Sequence, residues 1–321
     1  YATSQTQLPN RNFPNATSKF HATLYNQRTC STCLDPPLMR HRKANSFGSI
    51  RMTIAGNGDA MTTAYDKAWS RLQDGAVLIL DGGISSELER RGVAMSDGLW
   101  SGRVALDHRQ AGVDMHRAYL DAGADIVTTN TFASSRIMLE ASGLGEQTRD
   151  INRRAIEAAL VAREQSGRAD VLVAGSLSHM FPILSDGQRP GGRSKPDDDE
   201  MLLTFQELAE IHTNEGADLI LLEMMRGPER MAQVFKALQG IQCPIWCGLS
   251  AGRAEDGSLD AAWHEADVAF ADILHHAAAQ KFDVLGLMHS QLDVIDEALP
   301  LIRSAHGGPV MAYPDAGHFE L

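Results

Sequence analysis

Apolar residues recur along most of this chain in short runs, each closed by polar residues and joined to the next run by a segment of helical period. The first run is Val77, Leu78, Ile79 and Leu80, ended by Asp81 and then by Gly82 and Gly83. An unbroken apolar run of this length predicts a strand buried on both faces, as in a parallel sheet. The two glycines let the backbone turn sharply and approach a ligand, and Glu87, Leu88, Glu89 and Arg90 favour the helix that follows. Further strands are predicted at 125–132, 170–176, 218–223, 243–249, 282–287 and 309–313. Helices are predicted at 62–72, 107–122, 134–141, 148–165, 200–214, 228–239, 261–280 and 292–304. The stretch 177–199 holds Pro182, Pro190, Gly191, Gly192 and Pro196 and is read as a loop, with the charge run from Lys195 to Glu200 as solvated chain.

Strands alternating with helices imply a parallel sheet with helical crossovers. Polar residues recur at the same end of these strands: Asp81, Asn130, Ser176, Glu223, Ser250, His289 and Asp315. Closing the sheet gathers all of them on one rim, where barrel enzymes place their chemistry. The glycine fingerprint of a dinucleotide fold is absent from the first strand-to-helix turn. The expected fold is therefore α/β, a (β/α)8 TIM barrel. Residues 314–321 are too few for another helix and strand, so the eighth β/α unit is expected to be missing from this chain.

Residues 1–60 differ in kind. Between Tyr1 and Gly58 the only acid is Asp35, against seven Lys and Arg, and no period of 2 or 3.6 appears. This stretch is read as a disordered leader outside the fold, either sequence upstream of a start at Met52 or Met61 or an organelle transit peptide. Cys30 and Cys33 have the spacing of half a zinc site but lack a second pair. Residues 61–321 form the expected barrel domain.

Composition narrows the function classes. A net charge of −12 argues against a nonspecific grip on nucleic acid or an anionic membrane, and no apolar run reaches the length of a membrane span. Four cysteines in 321 residues make no disulfide framework, which points to a reducing, cytoplasmic setting. Small-molecule chemistry is the expectation that remains.

Several motifs fall in a recognisable order. Asp81-Gly82-Gly83 is followed by Glu87 to Gly92, Leu99-Trp100-Ser101, Ala122 to Asp125 and Thr129-Asn130-Thr131-Phe132. Ala174-Gly175-Ser176, Gly216-Ala217-Asp218, Leu222-Glu223 and Tyr313 to Gly317 come after them. This series resembles the homocysteine S-methyltransferase family, which includes betaine- and S-methylmethionine-dependent enzymes. The resemblance implies transfer of a methyl group from a small sulfonium or betaine-type donor to the zinc-bound thiol of homocysteine, forming methionine. Its partners would be a small thiol acceptor and a methyl donor, with homo-oligomer formation left open. It implies that Asp81 and Glu223 hold the amino group, that Gly82 and Gly83 lie close to the amino acid, and that Thr129, Asn130, Thr131 and Phe132 shape the pocket.

One departure bears on zinc (Zn2+). The resemblance places a ligand cysteine where this chain has His289, after Gly286-Leu287-Met288. His289 is thus either a substitute metal ligand, with the remaining ligands expected beyond Leu321, or no ligand at all. In the second case the barrel is a non-catalytic or differently specific binder of an amino-acid-like molecule. A second departure, Ser178-His179-Met180-Phe181-Pro182 after the third strand, implies a different donor specificity; His179 is read as an ordinary loop residue or a pocket residue.

Overall fold

The computed structural model describes residues 62–95, 99–182, 195–262 and 268–315, together with the backbone of 22–25 and 265–267. In chain order the elements are β1 (Ala22–Tyr25), α1 (Ala64–Gln73), β2 (Ile79–Leu80), α2 (Ile84–Arg90), α3 (Val104–Asp107), α4 (Arg109–Asp121) and β3 (Ile126–Thr128). They continue with α5 (Arg136–Glu140), α6 (Thr148–Ser166), β4 (Leu172–Leu177), α7 (Asp198–Asn214), β5 (Leu219–Met225) and α8 (Pro228–Ala237). The last are β6 (Ile245–Leu249), β7 (Ala251–Arg253), β8 (Leu259–Ala261), β9 (Glu265–Ala269), α9 (Phe270–Ala278), β10 (Val284–Gln291), α10 (Leu292–Ala305) and β11 (Val310–Asp315).

The seven expected strands pair in parallel, in the order β2, β3, β4, β5, β6, β10, β11, and the ring is closed. The fold is the predicted α/β barrel. Its eighth position is filled from an unexpected place: β1 lies antiparallel between β11 and β2, with Thr23 opposite Ala312 on one side and Ile79 on the other. Residues 1–60 therefore contribute four residues to the sheet, where a leader wholly apart from the fold was expected; Cys30, Cys33 and the rest of that stretch lie outside the described residues. The physical reason is the cost of bare strand edges on β2 and β11, which a short run of β-favouring residues can cover.

Alternate strand residues fill the barrel's inside, among them Leu80, Ile126, Ala174, Leu221, Trp246 and Met311, all buried. Helix α1 packs on this set, and the Trp246 indole donates to the Tyr65 hydroxyl at 3.1 Å. The other face of the sheet packs on the outer helices. At Gly286, opposite Met311 in the neighbouring strand, an added Cβ would run into the Met311 carbonyl oxygen. Gly286→Ala is accordingly expected to destabilise the protein by about 2 kcal/mol, read as a lowered urea midpoint.

The helix expected at 261–280 is only half helical. Its first part belongs to a three-stranded antiparallel sheet of β7, β8 and β9, and α9 starts at Phe270. An Asp256-Gly257 turn drives the hairpin: Gly257 has φ +86°, and Asp256 Oδ1 accepts from the Ser258 backbone at 2.9 Å. The run read as solvated chain before residue 200 is also structured, with Asp197 capping α7 through the Glu200 N–H at 2.8 Å. No helix among the described residues is long and apolar enough to cross a membrane.

Candidate functional site

Two buried carboxylates stand at strand tips. Asp81 follows β2 and has no exposed surface; its Oδ2 accepts from the Thr128 backbone N–H at 2.7 Å and its Oδ1 from the Thr128 hydroxyl at 2.9 Å. Burial dominates its titration, pushing the carboxyl up to about 8 against the opposing pull of those two hydrogen bonds, and the charge of Glu223 adds to the rise. Glu223, near the end of β5, is 9% exposed. The Ser176 hydroxyl donates to its Oε2, and the His289 ring lies at 2.7 Å from its Oε1 through Nε2. A carboxylate can only accept, so the hydrogen of that bond lies on the imidazole. Three strands, β4, β5 and β10, meet in this one cluster.

Aromatic rings flank it. Phe132 lies 5.6 Å from His289 between ring centres, Tyr313 lies 6.1 Å from His289, and Trp100 packs 5.8 Å from Phe132. Burial pushes the Tyr313 phenol up, and the charges of both Asp81 and Glu223 push it further, so this one ring senses both acids. The backbone is strained at the same rim: Trp100, Met224 and His289 all have left-handed φ, 45°, 62° and 50°. Such outliers cost on the order of 1–3 kcal/mol each and gather where a site needs them.

The structure separates the residues the sequence analysis had grouped. Glu223 meets His289 directly and lies near enough to Asp81 for its charge to act there. Gly82 packs under the Tyr119 ring, and the Gly83 carbonyl accepts from the Tyr119 hydroxyl at 3.0 Å. Thr129 and Thr131 are fully buried and latch β3 to β4: their hydroxyls lie 2.7 Å apart, Thr129 accepts from the Ser176 N–H, and Thr131 donates to the Ser176 carbonyl. His212 closes that latch at 3.1 Å from Thr131 and is held near 3 by burial. Asn130 is spent on the Trp100 loop, donating to the Ser101 carbonyl at 2.8 Å and accepting from its hydroxyl at 2.7 Å. Sequence reasoning missed Thr128, Tyr119 and Tyr313 as members of the site. An aromatic at a strand tip, as Tyr313 is, was the available signal.

The residues described do not by themselves complete a zinc site. The His289 nitrogen that faces Glu223 is engaged there, and among the described residues no group of three His, Cys, Asp or Glu is placed to hold a metal ion. Cys247 is buried in β6 within the outer core, where burial pushes its thiol up. Asp283 serves the opposite end of the barrel, accepting from the Ile245 N–H at 3.2 Å.

Comparison with known proteins places the chain in a family. The profile of the family described as Homocysteine S-methyltransferase matches residues 78–321. Betaine–homocysteine S-methyltransferase 1 of Bos taurus is 29% identical over 187 residues, 58% of this chain and 44% of that protein. The chain thus spans under half the length of that relative. Selenocysteine Se-methyltransferase of Brassica oleracea var. italica is 26% identical over 294 residues, covering 82% of this chain and 80% of its own. Among solved structures, the homocysteine methyltransferase MmuM from Escherichia coli in its metallated form superposes with a TM-score of 0.61 at 23% identity, over 75% of this chain and 84% of that one, a likeness of fold.

Proposed function

This chain belongs to the homocysteine S-methyltransferase family, and on that premise we propose that it transfers a methyl group from a small sulfonium or betaine-type donor to the thiol of homocysteine, forming methionine. The observation that carries the reading is the pair of buried acids, Asp81 and Glu223, close enough for the charge of Glu223 to reach Asp81 and for both to reach Tyr313. Two acids beside one another in a buried rim favour a cationic guest, and an ammonium group meets both. The rings of Trp100, Phe132 and Tyr313 offer π faces to the second cation of the reaction, the onium donor.

In this reading Asp81 and Glu223 anchor the acceptor's amino group, and His289 is oriented by Glu223 beside the donor. The sulfur attacks as thiolate after its proton is released to solvent: a new S–C bond forms to the methyl carbon as the methyl–onium bond breaks, and its electron pair returns to the onium atom. Holding the two reactants at contact is the chief contribution of the protein. No step is assigned to zinc. The non-catalytic alternative has less support, because the relatives named above are methyltransferases.

The test is turnover. The purified chain is supplied with homocysteine and, separately, glycine betaine, S-methylmethionine and dimethylsulfoniopropionate. Methionine should form with at least one donor; none with any donor overturns the proposal.

A further inference from the structure

We infer that Arg226 anchors a carboxylate-binding subsite on the rim next to Glu223, so that one of the two reactants is held by its acid group as well as by its cationic centre. The inference rests on the function proposed above. Arg226 directly follows β5 and is only 6% exposed, yet no carboxylate among the described residues pairs with it. Its Nη1 has a long contact to the Ala262 carbonyl at 3.4 Å, its Nη2 faces the Met180 sulfur at 3.4 Å, and its Nε has no partner. A thioether is a weak acceptor for a guanidinium. Burial pulls this side chain down to about 10, which still leaves it charged at neutral pH.

Apart from the Ala262 carbonyl and the Met180 sulfur, the neighbours that the described residues place around it carry the same sign or donate. His179, fully buried, accepts the Arg226 backbone N–H on Nε2 at 3.0 Å, which places its hydrogen on Nδ1, and Nδ1 has no partner. Arg230 stands over the Phe181 ring at 5.1 Å, and burial holds His179 well below its ordinary range, with the charges of Arg230 and Arg226 adding to the fall. Helix α8 starts here as well, with Gly227 at its N-cap and no side chain capping it, so its positive end adds to the field. The one acid of its first turn, Glu229, is exposed. Buried cations without counter-charge are unfavourable by themselves, and here a buried guanidinium, a histidine N–H and a helix N-terminus share one place.

The guanidinium's flat fork matches the two oxygens of a carboxylate. Met180 occupies the acceptor's position at Nη2, and its unbranched side chain can swing aside. Arg226 lies three residues beyond Glu223, within about 10 Å along extended chain, the reach of a small zwitterion lying along the rim. The acceptor's α-carboxylate and the acid group of a betaine-type donor share this chemistry.

Isothermal titration of the full chain separates them without relying on turnover. Wild type, Arg226→Gln and Arg226→Lys are titrated with L-homocysteine, 3-aminopropane-1-thiol, glycine betaine and tetramethylammonium. Arg226→Gln should weaken homocysteine or glycine betaine at least tenfold, leave the partner lacking the carboxylate within twofold, and be partly rescued by Arg226→Lys. Loss confined to homocysteine assigns the subsite to the acceptor, and loss confined to glycine betaine assigns it to the donor. Equal loss for the acid and its acid-free analogue, or no loss for either acid, overturns the inference. If wild type binds neither reactant, the proposed function fails, and acetate then decides the subsite: it should raise the unfolding temperature of wild type more than that of Arg226→Gln, and an equal response overturns it. Should Arg226→Gln not fold, Met180→Ala takes its place and is expected to tighten the same acid; no change overturns the inference.

Discussion

Glu223→Gln is expected to reduce kcat/KM for methionine formation on the order of 10²-fold, or about 3 kcal/mol of lost stabilisation. The substitution keeps size and shape but removes the charge that faces the acceptor's ammonium. It also changes two existing bonds, because the carboxylate accepts from the Ser176 hydroxyl on one oxygen and pairs with His289 on the other. An amide keeps one acceptor and gains a donor, so it satisfies one of these partners and confronts the other. The loss should fall mainly on the KM for homocysteine, with the KM for the donor changing less, because Glu223 anchors the acceptor. Unchanged thermal unfolding would show that the site and not the fold was altered. Activity within threefold of wild type would remove Glu223 from the site.

The barrel was legible because a parallel strand leaves a plain trace: Val171 to Ala174 or Leu219 to Leu222 is apolar throughout, and each run stops at a polar tip. Tips of neighbouring strands must meet once the sheet closes, so Asp81, Ser176, Glu223 and His289 could be placed on one rim from their order alone. Their pairing could not be. Glu223 and His289 are 66 residues apart, and which oxygen meets which ring depends on strand stagger and on the left-handed turn at His289, neither of which has a local signature. Thr129 and Thr131 were expected to shape the pocket on the strength of the resemblance; in the structure they form the latch with Ser176, and Thr128, one position earlier, holds Asp81. The hairpin at 251–269 does have a local signal, Asp256-Gly257, which the reading of a helix from 261 did not use. His179 looked like an ordinary loop residue; only its complete burial beside Arg226 gives it meaning.

Asp81→Asn is expected to stabilise the protein at alkaline pH while impairing acceptor binding. In the folded chain this carboxyl is pushed up to about 8, against about 3.9 when unfolded. Between these values the folded state keeps a proton that the unfolded state has released, so stability falls as pH rises through that window. Below about pH 4 both states are protonated and nothing is lost; above about pH 8 the full cost, on the order of 5 kcal/mol, is present. Asn keeps an acceptor for the Thr128 N–H and cannot ionise, so urea midpoints of Asp81→Asn should lose most of the decline that wild type shows from pH 5 to 8. Parallel declines in both proteins would place the pH dependence elsewhere. The same shift makes a binding prediction: at pH 7 the free protein holds Asp81 neutral, and an ammonium group arriving beside it favours the ionised form. Homocysteine should therefore displace up to one proton at pH 7 and almost none at pH 9, visible as a calorimetric heat that depends on the buffer's ionisation enthalpy in wild type and not in Asp81→Asn. A proton count of zero at pH 7 would mean that the amino group is not held at Asp81, leaving Glu223 alone to anchor it.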